Sequence, residues 1–320
     1  MRCATATPLD NFAIVPEMTP IRTFLFGVLA WLGAAVGYSK PLVVTTHTVL
    51  SDFVHEIAGD DVEVTCLLPV NIDPHSYDPR PADVRAVSRA ALVVMNGLGL
   101  EPWAERLVAA AGYKGAIVVA TDGLEGLLPL SDHEEHGHAG RSGENDALDP
   151  HAWQDLRNAK HYVQKIANAL CQVVPSRADA FRSNAAAYEA KLDALDAEVR
   201  REIDSIPSGR RKLVTSHDSL QYLGNRYGLR IVPVAGSRPG QEPSARQLAE
   251  LISTVRREHV PAVFFEATSN PKLAELVAKE AGVTVVRELY TDSLGPTGSP
   301  GATYLGMFRH NIATLVAALK

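Results

Sequence analysis

From Leu42 onward the chain alternates short β-branched runs with stretches whose apolar positions recur at helical spacing. Residues 42–46, Leu-Val-Val-Thr-Thr, predict a strand. Leu50, Phe53, Val54 and Ile57 follow on one helix face, and residues 62–68 alternate as a second strand. Pro81 stands where the first turn of a helix tolerates proline. Residues 91–95 are strand-like, a helix is expected from Pro102, and residues 116–119 close the first set. The second half repeats the scheme, with strands expected at 212–215, 230–234, 262–265 and 283–286, and a capping box at Ser244-Ala245-Arg246-Gln247. Between the halves, residues 176–205 are rich in Ala, Glu, Asp, Lys and Arg, with Phe181, Tyr188, Leu192, Leu195 and Val199 at helical spacing. Bounded by Pro175 and Pro207, this stretch predicts one long helix that joins two lobes as a stiff strut. The fold class expected is α/β with mostly parallel sheets.

The region before Leu42 changes the count of structural residues. Residues 22–39 run from a basic residue through an apolar stretch to small residues, the pattern of a secretory signal. The mature chain is expected to start near Tyr38 or Lys40, with a retained amphipathic anchor as the alternative. Residues 1–17, before Met18, read as an extended leader or a mis-assigned start. The apolar run is short for a membrane span. No cysteine follows the small residues, so the acceptor for a lipid anchor is missing there, and a periplasmic protein without such an anchor is expected. About 280 residues remain, roughly twice a typical domain. The expected division is leader and signal over 1–39, an N-terminal α/β lobe over 40–174, the connecting helix over 175–207 and a C-terminal α/β lobe over 208–320.

Composition excludes one large class of partner. The formal net charge is −6, and no basic arm or aromatic-basic stripe supplies phosphate contacts, so nucleic acid is not expected. Cys66 and Cys171 would remain after cleavage, which permits one bridge in an oxidising compartment. Each lies in an apolar run and reads as a small hydrophobe.

The chemistry concentrates in four loop motifs. They are His75 in Asp73-Pro74-His75-Ser76-Tyr77, His151 in Asp149-Pro150-His151-Ala152-Trp153, His217 in Thr215-Ser216-His217-Asp218, and Asp292 in Tyr290-Thr291-Asp292-Ser293-Leu294. Three imidazoles and one carboxylate can fill a tetrahedral zinc site. His75, His217 and Asp292 each fall just after an expected strand, where open parallel sheets put their binding crevices. His151 precedes a helix expected to start near Gln154. Each motif alone reads equally as a turn, since Asp and Pro are turn formers and Asp292 can cap a loop; the combination is what points to metal. Glu266, at a strand end, reads either as a carboxylate that orients a ligating imidazole or as half of a buried ion pair. His47 is expected to cap the helix before Leu50, and His55, His161 and His310 to lie in helices without metal.

Taken with Arg80-Pro81-Ala82-Asp83, Asn96-Gly97-Leu98 through Glu101-Pro102-Trp103 and the long central helix, these motifs make residues 41–320 resemble the metal-specific solute-binding proteins of bacterial ABC importers, the TroA-like zinc and manganese receptors. The resemblance implies two α/β lobes joined by a single long helix, with the metal in the cleft between them. His75 and His151 would come from the first lobe, and His217 and Asp292 from the second. It also implies an importer permease as partner, a periplasmic metallochaperone as a further one, and a monomer. Members favouring manganese or iron usually carry glutamate where this chain has His217, and many zinc receptors lack the aspartate matching Asp292. The resemblance also gives a reading for His133-Glu134-Glu135-His136-Gly137-His138, in a loop of Asp, Glu, Gly, Ser and Asn: His133, His136 and His138 would form an auxiliary site that gathers metal weakly. Composition alone reads the same loop as a solvated, disordered one.

A nitrogen-rich shell suits zinc, whereas manganese prefers more oxygen, so zinc is the expected cargo and manganese or iron the alternative. A zinc hydrolase is the rival class, but four protein ligands leave no open position for water. The chain has no His-Glu-x-x-His helix, no Gly-x-Ser-x-Gly elbow around Gly236-Ser237-Arg238, and no third glycine after Gly97-Leu98-Gly99. A binding protein and not an enzyme is expected; a metal-storing or adhesive protein on the same fold is the other rival.

Overall fold

A computed structural model describes residues 39–130, 147–215, 217–233, 244–258, 260, 262–267 and 271–320. The signal-like segment up to residue 38 and His133, His136 and His138 lie outside the described residues.

Among the described residues, eight strands form two parallel sheets of the same plan. In the first, β1 (Leu42–Thr45), β2 (Glu63–Cys66), β3 (Leu92–Met95) and β4 (Ala116–Val119) take the order β2-β1-β3-β4. In the second, β5 (Lys212–Thr215), β6 (Arg230–Pro233), β7 (Ala262–Glu266) and β8 (Thr284–Leu289) take the order β6-β5-β7-β8. Every pairing is parallel, with Val43 opposite both Val64 and Leu92 in the first sheet and Val214 opposite Val263 in the second. The order reverses between β1 and β3, and again between β5 and β7, which creates a crevice at the strand C-terminal ends of each sheet.

Helices cover both faces, which explains the near-continuous apolar strands. The helices are α1 (Thr48–Ala58), α2 (Pro81–Arg89), α3 (Ala104–Ala110), α4 (Leu156–Val173), α5 (Ala178–Asp204), α6 (Gln221–Tyr227), α7 (Ala245–Arg257), α8 (Pro271–Ala281) and α9 (Tyr304–Leu319). Along β3, Leu92 and Val94 point into the core shared with α1, α4, α5 and α9, whereas Val93 and Met95 pack with Val87, Trp103 and Leu107. In β7 the same alternation sends Ala262 and Phe264 to the shared core, and Val263 and Phe265 to Leu251, Val255 and Val277.

Helix α5 is the strut. Its 27 residues span about 40 Å at 1.5 Å per residue, and it packs against α1, α4 and α9. Phe181, Ala185, Tyr188, Leu192, Leu195, Val199 and Ile203 are its buried residues, the expected stripe with Ala185 added within it and Ile203 at its C-terminal end. Leu192 is wholly buried in the shared core. Leu192→Ala is expected to cost about 2–5 kcal/mol, since surrounding helices close such a cavity only in part; chemical denaturation of the metal-free protein measures it.

Some local expectations shift. The helix expected near Gln154 begins at Leu156, because Asp155 caps it by accepting from the Arg157 N–H, and residues 152–154 form a separate 3-10 turn. The helix expected from Pro102 begins at Ala104. His47 occupies the N-cap position of α1 but its side chain makes no capping bond. Cys66 and Cys171 are both free, their thiols donating to the Leu68 and Ala178 carbonyls, and burial pushes the Cys66 thiol up to about 11. No helix among the described residues is long and apolar enough to cross a membrane.

Candidate metal centre

The two Asp-Pro-His motifs fold alike. In each, the aspartate accepts from the backbone N–H of the histidine two residues on: Asp73 from His75 at 2.8 Å and Asp149 from His151 at 2.9 Å. The Trp103 indole N–H then holds the Pro74 carbonyl at 2.7 Å, and the Asn96 amide holds the Pro150 carbonyl at 3.0 Å. Asn96 follows β3, and the next residue is glycine for a steric reason: Gly97 has φ +92°, and a Cβ there would lie 2.5 Å from Val119 Cγ1. Each histidine is thus presented by a loop pinned at both its aspartate and its proline.

The second sheet supplies the other two residues directly from its strand ends. His217 lies two residues past β5, with the Thr215 hydroxyl donating to its carbonyl at 2.8 Å. Asp292 lies three residues past β8, in a loop whose Tyr290 is gripped by Asn311 of α9 through both its N–H and its carbonyl.

These four residues converge. One ligand atom from each of His75, His151, His217 and Asp292 lies within 4.8 Å of the others. His75 Nε2 is 3.2 Å from His151 Nε2, and His151 Nε2 is 3.4 Å from Asp292 Oδ1. His217 Nε2 is 2.9 Å from Asp292 Oδ2, and His75 Nε2 is 4.0 Å from the same oxygen. Donors about 2.0–2.1 Å from a central zinc would be about 3.3 Å apart in a tetrahedron; the His75–His151 and His151–Asp292 separations are near that value, and the 4.0 Å between His75 and Asp292 is wider. His151, His217 and Asp292 are buried, and His75 is the most open, with 17% of its side chain exposed.

Two further carboxylates orient the rings. Asp149 Oδ1 lies 2.7 Å from His151 Nδ1, and Glu266 Oε2 lies against His217 Nδ1. Both leave Nε2 facing the centre, the arrangement that fixes the tautomer of metal-binding histidines. Glu266 lies against the His217 ring, a position that fits both of its readings, since with that ring charged the two form a buried ion pair. Asp149, which the sequence marked only as a turn former, sits against His151 in the same way; the aspartate two residues before the histidine was the available signal.

Electrostatics follow from burial against charge. Burial alone lowers a histidine, and it holds His75 down to about 4. For His151 burial also acts downward, but Asp292 and Asp149 prevail and the ring sits above its ordinary value. His217 is raised well above it, because Glu266 and Asp292 outweigh burial. Burial would raise Asp292, yet the surrounding imidazoles hold it well below the usual carboxylate range. Without metal, the charged forms of the His217 and His151 rings are therefore favoured by carboxylates on both sides of each: Asp292 with Glu266 for His217, and Asp292 with Asp149 for His151.

His47 stands at the expected N-cap position, but its side chain turns to the core and does not cap. It is 1% exposed, its ring centroid is 5.1 Å from that of Trp153, and burial lowers it to about 3 although Asp292 pulls the other way. His55 is exposed on α1, His161 faces the Asp122 carbonyl at 3.0 Å, and the His310 ring is 5.3 Å from Tyr290.

Residues 43–318 match the family model described as zinc-uptake complex component A, periplasmic. The chain is 34% identical to the manganese-binding lipoprotein MntA of Halalkalibacterium halodurans, over 87% of this chain and 88% of that protein. It is 33% identical to the zinc-binding protein TroA of Treponema pallidum, over 89% and 91%. The solved structure of the periplasmic zinc-binding protein TroA from Treponema pallidum superposes with a TM-score of 0.79 at 32% identity, covering 88% of this chain and 99% of that one.

Proposed function

The chain belongs to the zinc-uptake complex component A family of periplasmic binding proteins, and we propose that it captures one divalent cation, zinc first, and delivers it to the permease of an ABC importer. The family makes it a solute-binding protein and not an enzyme. His75, His151, His217 and Asp292 are the proposed ligands. The observation that carries this is the convergence of three Nε2 atoms and one carboxylate, two of the rings backed by carboxylates, in one buried cage.

Zinc is preferred over manganese for this chain on donor chemistry. Three imidazoles and one carboxylate make a nitrogen-rich set, and manganese favours oxygen and higher coordination. Relatives named for zinc and for manganese both occur at similar identity, so the donors of this chain carry the choice. The test is competitive binding of zinc, manganese and iron to the purified protein: one tight zinc per chain is expected, and manganese bound more tightly than zinc would reverse the assignment. Glu266→Gln, which keeps shape but weakens the hold on His217 Nδ1, is expected to weaken zinc by about 10–100-fold.

His133, His136 and His138 are proposed as an auxiliary set that gathers cations weakly. Removing residues 131–145 should abolish weak extra equivalents and leave the tight one. A periplasmic metallochaperone is a proposed donor to that segment, and the protein is proposed to act as a monomer.

A further inference from the structure

The two Asp-Pro-His loops are both held from one short segment, residues 96–103. The Asn96 side-chain amide donates to the Pro150 carbonyl and the Trp103 indole N–H to the Pro74 carbonyl. Between these two donors the backbone takes a costly path, with φ of +92° at Gly97, +54° at Leu98 and +77° at Gly99. Leu98 carries a side chain that disfavours the left-handed region. Backbone of this kind persists only where the surroundings over-determine it.

What holds it is the carboxylate of Glu101, a residue 5% exposed. Its Oε1 accepts from the Asn96 N–H at 2.6 Å and from the Thr46 hydroxyl at 2.8 Å, and its Oε2 accepts from the Gly97 N–H at 3.3 Å. Thr46 lies just past β1 and Asn96 just past β3, so this one acid ties together the strand ends between which the sheet order reverses. Burial pushes the Glu101 carboxyl up, and these three donors act against that rise. The Tyr162 hydroxyl donates to Asn96 Oδ1 at 2.7 Å, which leaves the amide nitrogen turned to Pro150. On the other side of the loop, the Ala104 N–H starts α3 on the Glu101 carbonyl at 3.0 Å and places Trp103.

We propose that Glu101 is a positioning residue: it organises the loop from which Asn96 and Trp103 hold the two Pro-His peptides, and so sets the spacing of the His75 and His151 rings and the affinity of the centre. The effect on affinity rests on the assignment of these histidines as metal ligands; the effect on the rings does not. The route is short. In each Pro-His peptide the carbonyl is held by Trp103 or Asn96, and the N–H by Asp73 or Asp149. Since the peptide unit is planar, pinning both of its poles fixes where the histidine side chain begins. The two Nε2 atoms, 3.2 Å apart, are thereby referred to a common support built around one buried acid. Glu101 touches neither ring among its hydrogen-bond partners and acts through the loop.

The test is Glu101→Gln, which keeps the shape but sets an amide N–H against the N–H of either Asn96 or Gly97, whichever way the amide turns. Heteronuclear NMR of the metal-free protein with labelled histidine reads the rings, and chelator competition reads zinc. Glu101→Gln should shift the His75 and His151 ring signals, leave those of His217 in place, and weaken zinc by roughly 10-fold. Trp103→Phe should shift mainly His75, and Asn96→Leu mainly His151. If Glu101→Gln folds poorly, Thr46→Val, which removes one donor and keeps the acid, should shift the same two rings by less. Unmoved His75 and His151 signals with only a lowered melting temperature would overturn the proposal and leave Glu101 a stabilising residue. Shifts spread equally to His217 would overturn it too, as would parental zinc affinity in Glu101→Gln where His75→Ala has lost it. Parental zinc affinity in His75→Ala would instead overturn the ligand assignment, with the ring shifts of Glu101→Gln still as predicted.

Discussion

Replacing His217 by alanine is expected to weaken zinc binding by at least about 100-fold. Four-ligand zinc sites bind with about 10–16 kcal/mol, so one ligand accounts for about 2.5–4 kcal/mol, and each 1.4 kcal/mol is tenfold. The loss should be at the upper end here, because His217 links Glu266 and Asp292. Its removal leaves two buried carboxylates, 3% and 2% exposed, without the ring between them. Isothermal titration against a competing chelator reads the change directly. His217→Glu should lose less total affinity for manganese than for zinc, since it trades a nitrogen for an oxygen donor.

Zinc is also expected to raise the melting temperature strongly, and to raise it more as the pH rises. At free zinc near 1,000 times Kd the native state gains about 4 kcal/mol, worth roughly 10 °C for a chain of this size. The pH dependence comes from His217 and His151, whose folded values lie above the unfolded 6.5. Their charged forms stabilise the metal-free protein fully below that value, and the stabilisation is lost as pH rises through the raised folded values. Zinc needs the neutral rings, so binding releases those protons. Scanning calorimetry from pH 6 to 8 should therefore show the gap between zinc-loaded and metal-free protein widening with pH. A gap independent of pH would mean that these rings do not exchange protons for metal.

The four strand-end and helix-start loops were legible because their chemistry is local. Asp-Pro-His writes a turn that ends on an imidazole in three residues, and both copies fold as that turn. The stripe through Leu192 and Leu195 announced α5 for the same reason: period and composition act within one element. What stayed hidden depends on contacts between distant segments. Gln154 and Thr291 are 137 positions apart, and nothing near either one signals that the buried Gln154 side-chain amide donates to the Thr291 carbonyl. His47 looked like a cap because it precedes a helix, yet the crevice at the end of β1 buries it beside Trp153. Glu266 was visible as a strand-end acid, but its choice of partner follows from β7 lying next to β5 in the sheet.

The most direct test of the account is X-ray absorption on the zinc-loaded protein at neutral pH. The structure predicts a four-donor shell of nitrogen and oxygen at about 2.0–2.1 Å, with outer-shell scattering from three imidazoles and the loss of one imidazole in His217→Ala. A shell of five or six oxygen-rich donors, or a spectrum that His217→Ala leaves unchanged, would contradict it.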